Sequence, residues 1–142
     1  MRSLAHFAAM AVLFAGLASA EPPRRYEVSA SVWIDGELRG RPSLVVEPGV
    51  EGTIEVGRPG GGWRLRVLVE PPAEVEGAAE GALWLTLGLE ERVDGEWEFL
   101  TDSMLGIPPG RRGSVSVVEE GVQTASPENA RLYVDVEVRP AG

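Results

Sequence analysis

Cysteine and lysine are absent from this chain, and the single histidine, His6, falls within the first twenty residues. Without cysteine there is no disulfide, so the fold must rest on a hydrophobic core. Without lysine there is no Schiff-base chemistry, and all 13 basic side chains are arginine. Past residue 20, thiol nucleophiles, serine–histidine hydrolysis and zinc sites with nitrogen or sulfur ligands are all excluded. Carboxylates alone remain for acid–base work, and a pair of them suits glycoside hydrolysis. Most Asp and Glu residues, however, sit at outward strand positions or in turns, where a solvated charge is the ordinary state. No catalytic residue, metal ligand or cofactor is expected, and the chain reads as a non-enzyme.

Phosphate and calcium loops are missing as well. The run from Gly57 to Gly62 is glycine-rich, but no Gly-Lys-Ser/Thr follows it, and a strand comes where a helix N-terminus is needed. Neither Asp35-Gly36-Glu37 nor Asp94-Gly95-Glu96 extends into a multidentate calcium loop; both read as hairpin turns.

Only one long apolar run occurs, from Leu4 to Leu17, after Arg2 and before the small-x-small site Ala18-Ser19-Ala20. This pattern predicts a signal peptide over residues 1–20, cleaved after Ala20, and a single domain over 21–142. The run is shorter than the roughly 20 apolar residues that span a bilayer, so no membrane span is expected after cleavage. The predicted location is periplasmic or secreted. Net charge is −9, and loss of Arg2 makes it −10. Nucleic acid and anionic lipid need a basic footprint, so neither is expected as partner.

What is present is alternation with period two. Tyr26, Val28, Ala30, Val32 and Ile34 share one face, and Leu83, Leu85, Leu87 and Leu89 repeat the pattern. Leu132, Val134, Val136 and Val138 form the cleanest example, against Arg131, Tyr133, Asp135, Glu137 and Arg139. Turn signals recur every eight to twelve residues, and no segment reads as a helix. The expected fold is all-β, a sandwich of about 8–10 mostly antiparallel strands.

The chain also repeats itself. Pro48-Gly49-x-x-Gly52-Thr53-Ile54-x-Val56 recurs 61 residues on as Pro109-Gly110-x-x-Gly113-Ser114-Val115-x-Val117. Ile34-Asp35-Gly36-Glu37 is matched by Val93-Asp94-Gly95-Glu96, and Arg64–Glu70 by Arg131–Glu137. Two related halves, about 26–72 and 82–140, are expected, joined by an acidic connector from Pro72 to Gly81. Neither half alone is large enough to hold a core. The Gly121–Asn129 segment has no counterpart in the first half.

The tryptophans are the main candidates for binding. Trp33 and Trp84 share the outward phase of their strands, where an exposed ring can stack on a sugar or anchor a protein; partial burial, covering the sandwich edge or capped by a loop, is the more ordinary state of such a ring. Trp97 is expected to face the core with Phe99, and Trp63 follows a glycine run. Arg111 and Arg112 form a positive pair at the second Pro-Gly turn of an acidic chain.

The series Pro42-x-Leu44-x-Val46-x-x-Gly49-x-x-Gly52-x-Ile54-x-Val56-Gly57, then Val67-x-Val69-x-Pro71, then Gly81-x-Leu83-x-Leu85-x-Leu87 resembles the core β region of the secretins, the channels of type II and III secretion. The likeness covers residues 42–89. The preceding periplasmic ring-building domains are missing and the chain is too short for the channel-forming region, so pore formation is not carried over. The resemblance implies an accessory piece of envelope or secretion machinery. The expected function is therefore non-catalytic binding of another envelope or secreted protein through a sheet face or edge. The alternative is a carbohydrate-binding module with Trp33 and Trp84 as its platform. Oligomeric state is not legible.

Overall fold

A computed structural model describes residues 25–58, 61–71 and 81–141. The signal peptide and cleavage site predicted over residues 1–20, Pro59-Gly60 of the glycine-rich loop and residues 72–80 of the expected connector lie outside the described residues. Nine strands and no helix make up the described chain, in two antiparallel sheets packed as a sandwich. The strands are β1 (Tyr26–Ile34), β2 (Glu37–Gly40), β3 (Ser43–Val46), β4 (Gly52–Arg58), β5 (Gly61–Glu70), β6 (Leu83–Val93), β7 (Glu96–Ile107), β8 (Arg112–Val117) and β9 (Leu132–Pro140). The first sheet runs β2-β1-β9-β8, with β3 pairing β1 on the same side as β2; the second runs β4-β5-β6-β7.

The alternating residues meet in one core. Val28, Val32, Ile34, Leu132, Val134 and Val138 of the first sheet pack against Leu65, Val67, Val69, Leu85, Leu87 and Leu89 of the second. Each buried aliphatic of this size contributes about 1.5–3 kcal/mol relative to exposure. A one-residue slip of β9 against β1 would turn four such side chains outward, so the register is firmly held. Trp63 belongs to this core, 1 % exposed, and its ring lies 3.0 Å from where a Cβ on Gly40 would stand. Gly40 is thus the cleft that lets the largest core side chain reach across the sandwich.

Both repeated turns have matching geometry. Asp35-Gly36 and Asp94-Gly95 carry positive φ at both residues, 53° and 78° in one, 52° and 81° in the other, which is the twist that two-residue hairpins require. At the Pro-Gly corners, Gly49 (φ 77°) and Gly110 (φ 76°) follow proline in turns closed by Val50 N–H to Glu47 O at 3.1 Å and Arg111 N–H to Pro108 O at 3.2 Å. These are type II turns, where only glycine sits without strain at the third position. The first corner leads from β3 to β4 and the second from β7 to β8, so the chain changes sheets at both edges of the sandwich.

Each corner is tied to its neighbour in the same way: Gly49 N–H donates to Val69 O at 2.9 Å, Gly110 N–H to Val138 O at 2.8 Å. Val69 therefore corresponds in position to Val138, whereas sequence matching of Arg64–Glu70 with Arg131–Glu137 pairs it with Val136. The discrepancy is two residues, one full pleat, so the inward and outward phases agree in both alignments.

One expectation fails. Phe99 does not face the core; it is 64 % exposed, and Trp97 lies half-buried on the outer face beside it. Leu89 pairs with Thr101 but Glu90 pairs with Phe99, so Leu100 is an extra residue on β7. This bulge reverses the phase of everything between Phe99 and the Asp94-Gly95 turn. Without it, Trp97 and Phe99 would continue the inward row of Leu105, Ser103 and Thr101.

Candidate interaction surface

With the inner faces filled, the surfaces that the described strands offer for binding are the outer faces and the edges. On the second sheet the outward positions are Arg64, Arg66 and Leu68 of β5, Trp84, Thr86, Gly88, Glu90 and Arg92 of β6, and Trp97, Phe99, Asp102, Met104 and Gly106 of β7. Glu90 accepts from Arg64 through one carboxylate oxygen and pairs with Arg66 Nε at 3.2 Å through the other. The Arg64 guanidinium also lies 4.2 Å from the centre of the Trp97 ring, a cation–π contact, with Arg92 at 5.8 Å. Gly88 makes room for this cluster, since a Cβ there would stand 2.8 Å from an Arg66 nitrogen. One carboxylate thus serves two guanidinium groups at the centre of the face, and Arg64 Nε and Arg66 Nε are buried there without a hydrogen-bond partner.

The margin of the same face is apolar. Phe99, Met104 (63 % exposed) and Trp84 (40 % exposed) follow the line of β7, with the Trp84 ring lying over Gly106. β7 is the outermost strand of its sheet, and among the described residues nothing pairs with its free side. It is also the longest edge, with 12 residues and no proline. The other three edges are shorter or interrupted: β4 has seven residues with Gly52 and Gly57 among them, β8 has six, and the β2/β3 edge is split at Arg41-Pro42. Long unpaired edges invite another strand, and short or broken ones deter it.

The first sheet differs in character. Its outer rows join Leu38, Trp33, Tyr133 and Ser116, then Ser31, Asp135 and Ser114, then Ser43, Ser29, Glu137 and Arg112. Trp33 is half-buried, edge-on to Tyr133 at 5.8 Å between ring centres and 79° between planes. Where β2 ends and β3 begins, a groove of about 200 Å³ opens, lined by Ser29, Ser31, Ser43, Arg41, Asp135, Glu137 and Arg112. At the end of the sandwich, Arg39 of β2 bridges to Glu91 of β6 at 3.5 Å, and Arg131 holds Asp35. The hydrogen bond to Asp35 raises the Arg131 pKa further above its already high value, so the guanidinium stays charged.

Trp33 and Trp84 both point outward as the alternation predicts, but from opposite sheets. No single platform contains both, which corrects the expectation of a shared Trp33–Trp84 sugar surface. Arg111 closes the second corner in the open, while Arg112 reaches the groove wall. Neither Phe99 nor Met104 is marked as a surface residue by the sequence: the phase of Phe99 depends on the bulge, and Met104 lies in an apolar run leading to the Pro109-Gly110 corner. Among the described residues no group of three or more His, Cys, Asp or Glu is arranged to hold a metal ion, and no helix is long and apolar enough to cross a membrane. No family model matches the chain, and neither curated proteins nor solved structures give a match.

Proposed function

We propose that the protein is an exported, non-catalytic binding module whose second sheet takes up an extended segment of another envelope or secreted protein along the free edge of β7. The observation that carries this reading is the coincidence, on one strand, of the longest unpaired edge with the most exposed large apolar side chains, Phe99 and Met104. Main-chain hydrogen bonds along the edge would supply affinity, and alternate side chains lying beside Phe99 and Met104 would supply selectivity.

Charge narrows the partner. β7 carries Glu96, Glu98 and Asp102 with no basic residue, so a second copy of the same strand would set like charges against each other. A partner strand with arginine or lysine opposite these carboxylates and apolar residues between fits the edge. The resemblance of residues 42–89 to secretins supports placing the partner in envelope or secretion machinery, and the apolar run with its small-x-small site supports export.

Affinity capture from an envelope extract with a photo-crosslinker at position 99 tests the proposal. A discrete crosslinked protein should appear with the wild type, and fall at least tenfold when Met104→Glu is added, while Trp33→Ala on the other sheet leaves it unchanged. Equal capture by the Met104→Glu protein, or no discrete adduct at all, refutes β7 as the docking edge.

A further inference from the structure

The groove on the first sheet is independent of β7 and faces the opposite way. It arises because the edge strand stops at Gly40 and resumes at Ser43, with Arg41-Pro42 between, where the carbonyl of Pro42 accepts the Ala30 N–H at 2.9 Å. That one bond keeps the segment attached to β1 while the sheet surface is left indented beside it. The walls carry three serine hydroxyls, the guanidinium groups of Arg41 and Arg112, and the carboxylates of Asp135 and Glu137.

The bonding state of these groups is uneven. Glu137 accepts from Arg139 Nε at 2.7 Å, and the hydroxyls of Ser29 and Ser43 lie 3.4 Å apart. Arg41, Arg112 and Asp135 form no ion pair among the described residues, although Arg112 is the cross-strand neighbour of Glu137 and Ser114 that of Asp135. Two cations and one carboxylate thus stand with free hydrogen-bonding capacity around one hollow. Two residues along the strands from Ser31 and Asp135, on the same face, stand Trp33 and Tyr133.

We propose that this face binds a neutral saccharide chain, with one sugar ring in the groove and the next against Trp33. A ligand for these walls must both donate and accept at closely spaced points. Sugar hydroxyls do both: Asp135 and Glu137 accept from them while Arg41 and Arg112 donate to them. A plain anion would leave Asp135 facing like charge, a plain cation would meet the two arginines, and an apolar ligand would leave Arg41, Arg112 and Asp135 without partners. The volume, about 200 Å³, is below the roughly 300 Å³ at which drug-sized pockets begin, which suits one ring of a longer chain better than an enclosed small molecule. The T-shaped contact with Tyr133 fixes the Trp33 ring in place, so little side-chain freedom is lost when a sugar packs on it.

Affinity electrophoresis of the protein through gels containing laminarin, xylan, dextran or soluble chitin oligomers, with heparin as the anionic control, tests the assignment. Retardation by at least one neutral polymer is expected, with the apparent dissociation constant raised at least tenfold in Asp135→Asn and in Trp33→Ala and about threefold or more in Arg112→Gln. Arg112 is exposed, so its substitution tests the groove without risk to the fold. Trp84→Ala, on the other sheet, should bind as the wild type does. Failure of all four neutral polymers overturns the proposal. So does retardation by heparin alone, undiminished binding in Asp135→Asn and Arg112→Gln, or loss in Trp84→Ala equal to that in Trp33→Ala.

Discussion

The stretch between an Asp-Gly turn and a Pro-Gly corner is built twice in this protein, and differently each time. From Glu37 to Val46 it is split by Arg41-Pro42 into β2 and β3; from Glu96 to Ile107 it is the unbroken strand β7. The Asp-Gly turns share their φ angles, and the Pro-Gly corners share both their φ angles and their hydrogen bonds. The difference therefore lies in the strand itself. Proline removes a donor from the edge and ends the pairing, which blunts that side of the first sheet and leaves a polar hollow in it. Where no proline intervenes the strand runs on, its edge guarded by the bulge at Leu100 and by Glu96, Glu98 and Asp102. One backbone plan thus yields a hydrophilic groove on one sheet and an apolar-flanked edge on the other.

The largest effect should come from the corners these strands feed. A Cβ on Gly52 would stand 2.5 Å from Val46 Cγ1 and 2.8 Å from Leu44 Cδ1, both on the short strand β3. At the corresponding Gly113 the nearest atom, Ile107 Cδ1, is 3.2 Å away. Gly52→Ala should lower stability by about 1–3 kcal/mol, the usual cost of overpacking. Gly113→Ala should cost well under 1 kcal/mol, because the flexible end of Ile107 can yield and alanine loses less entropy on folding than glycine. Urea unfolding midpoints of the two variants decide the matter. Equal losses would mean that the broken strand packs its corner no more tightly than the continuous one.

A smaller effect belongs to the cluster that anchors the outer part of β7. Trp97 holds Arg64 over its ring, and Arg64 is held in turn by Glu90. Replacing Trp97 by leucine keeps much of the apolar contact and removes the cation–π term, so a loss of about 0.5–1 kcal/mol is expected from the partly exposed site. Among the described residues no cation–π contact anchors β2 to the outer face of its own sheet. A Trp97→Leu protein as stable as the wild type would show that β7 is held by its ladder and core contacts alone.

Most of the fold is legible in the sequence because the inner faces obey strict alternation. Leu132 to Val138 and Leu83 to Leu89 announce their buried sides without reference to any partner. The Asp-Gly and Pro-Gly turns are equally plain, since their backbone angles require those residues. The outer face of β7 is not legible, because its phase depends on a bulge opposite Leu89 and Glu90 that no residue type marks. Nor does the sequence reveal that Trp33 and Trp84 diverge. Each was rightly placed as outward on its strand, but which strand enters which sheet is settled only when the chain crosses at Pro48-Gly49 and Pro109-Gly110. The groove was hidden for a related reason: Arg41 and Arg112 are 71 positions apart and meet only across β1 and β9.

The smallest effect is confined to alkaline solution and concerns the point where the broken strand rejoins its sheet. Tyr26 pairs with Val46 at the end of β3, is 4 % exposed, and has its phenol pKa raised by burial above the ordinary value of 10.0. Below pH 10 the phenol is neutral in both folded and unfolded chains, and burial costs nothing extra. As pH climbs past 10 the unfolded chain ionises first, so the folded state holds more protons and stability falls until the folded pKa is passed. Tyr26→Phe should flatten this fall, whereas below pH 9 the change in stability with pH should be the same in both proteins. Urea midpoints at pH 7, 9 and 11 provide the test. An equal alkaline loss in both proteins would mean that the end of β3 opens readily enough for water to reach the phenol.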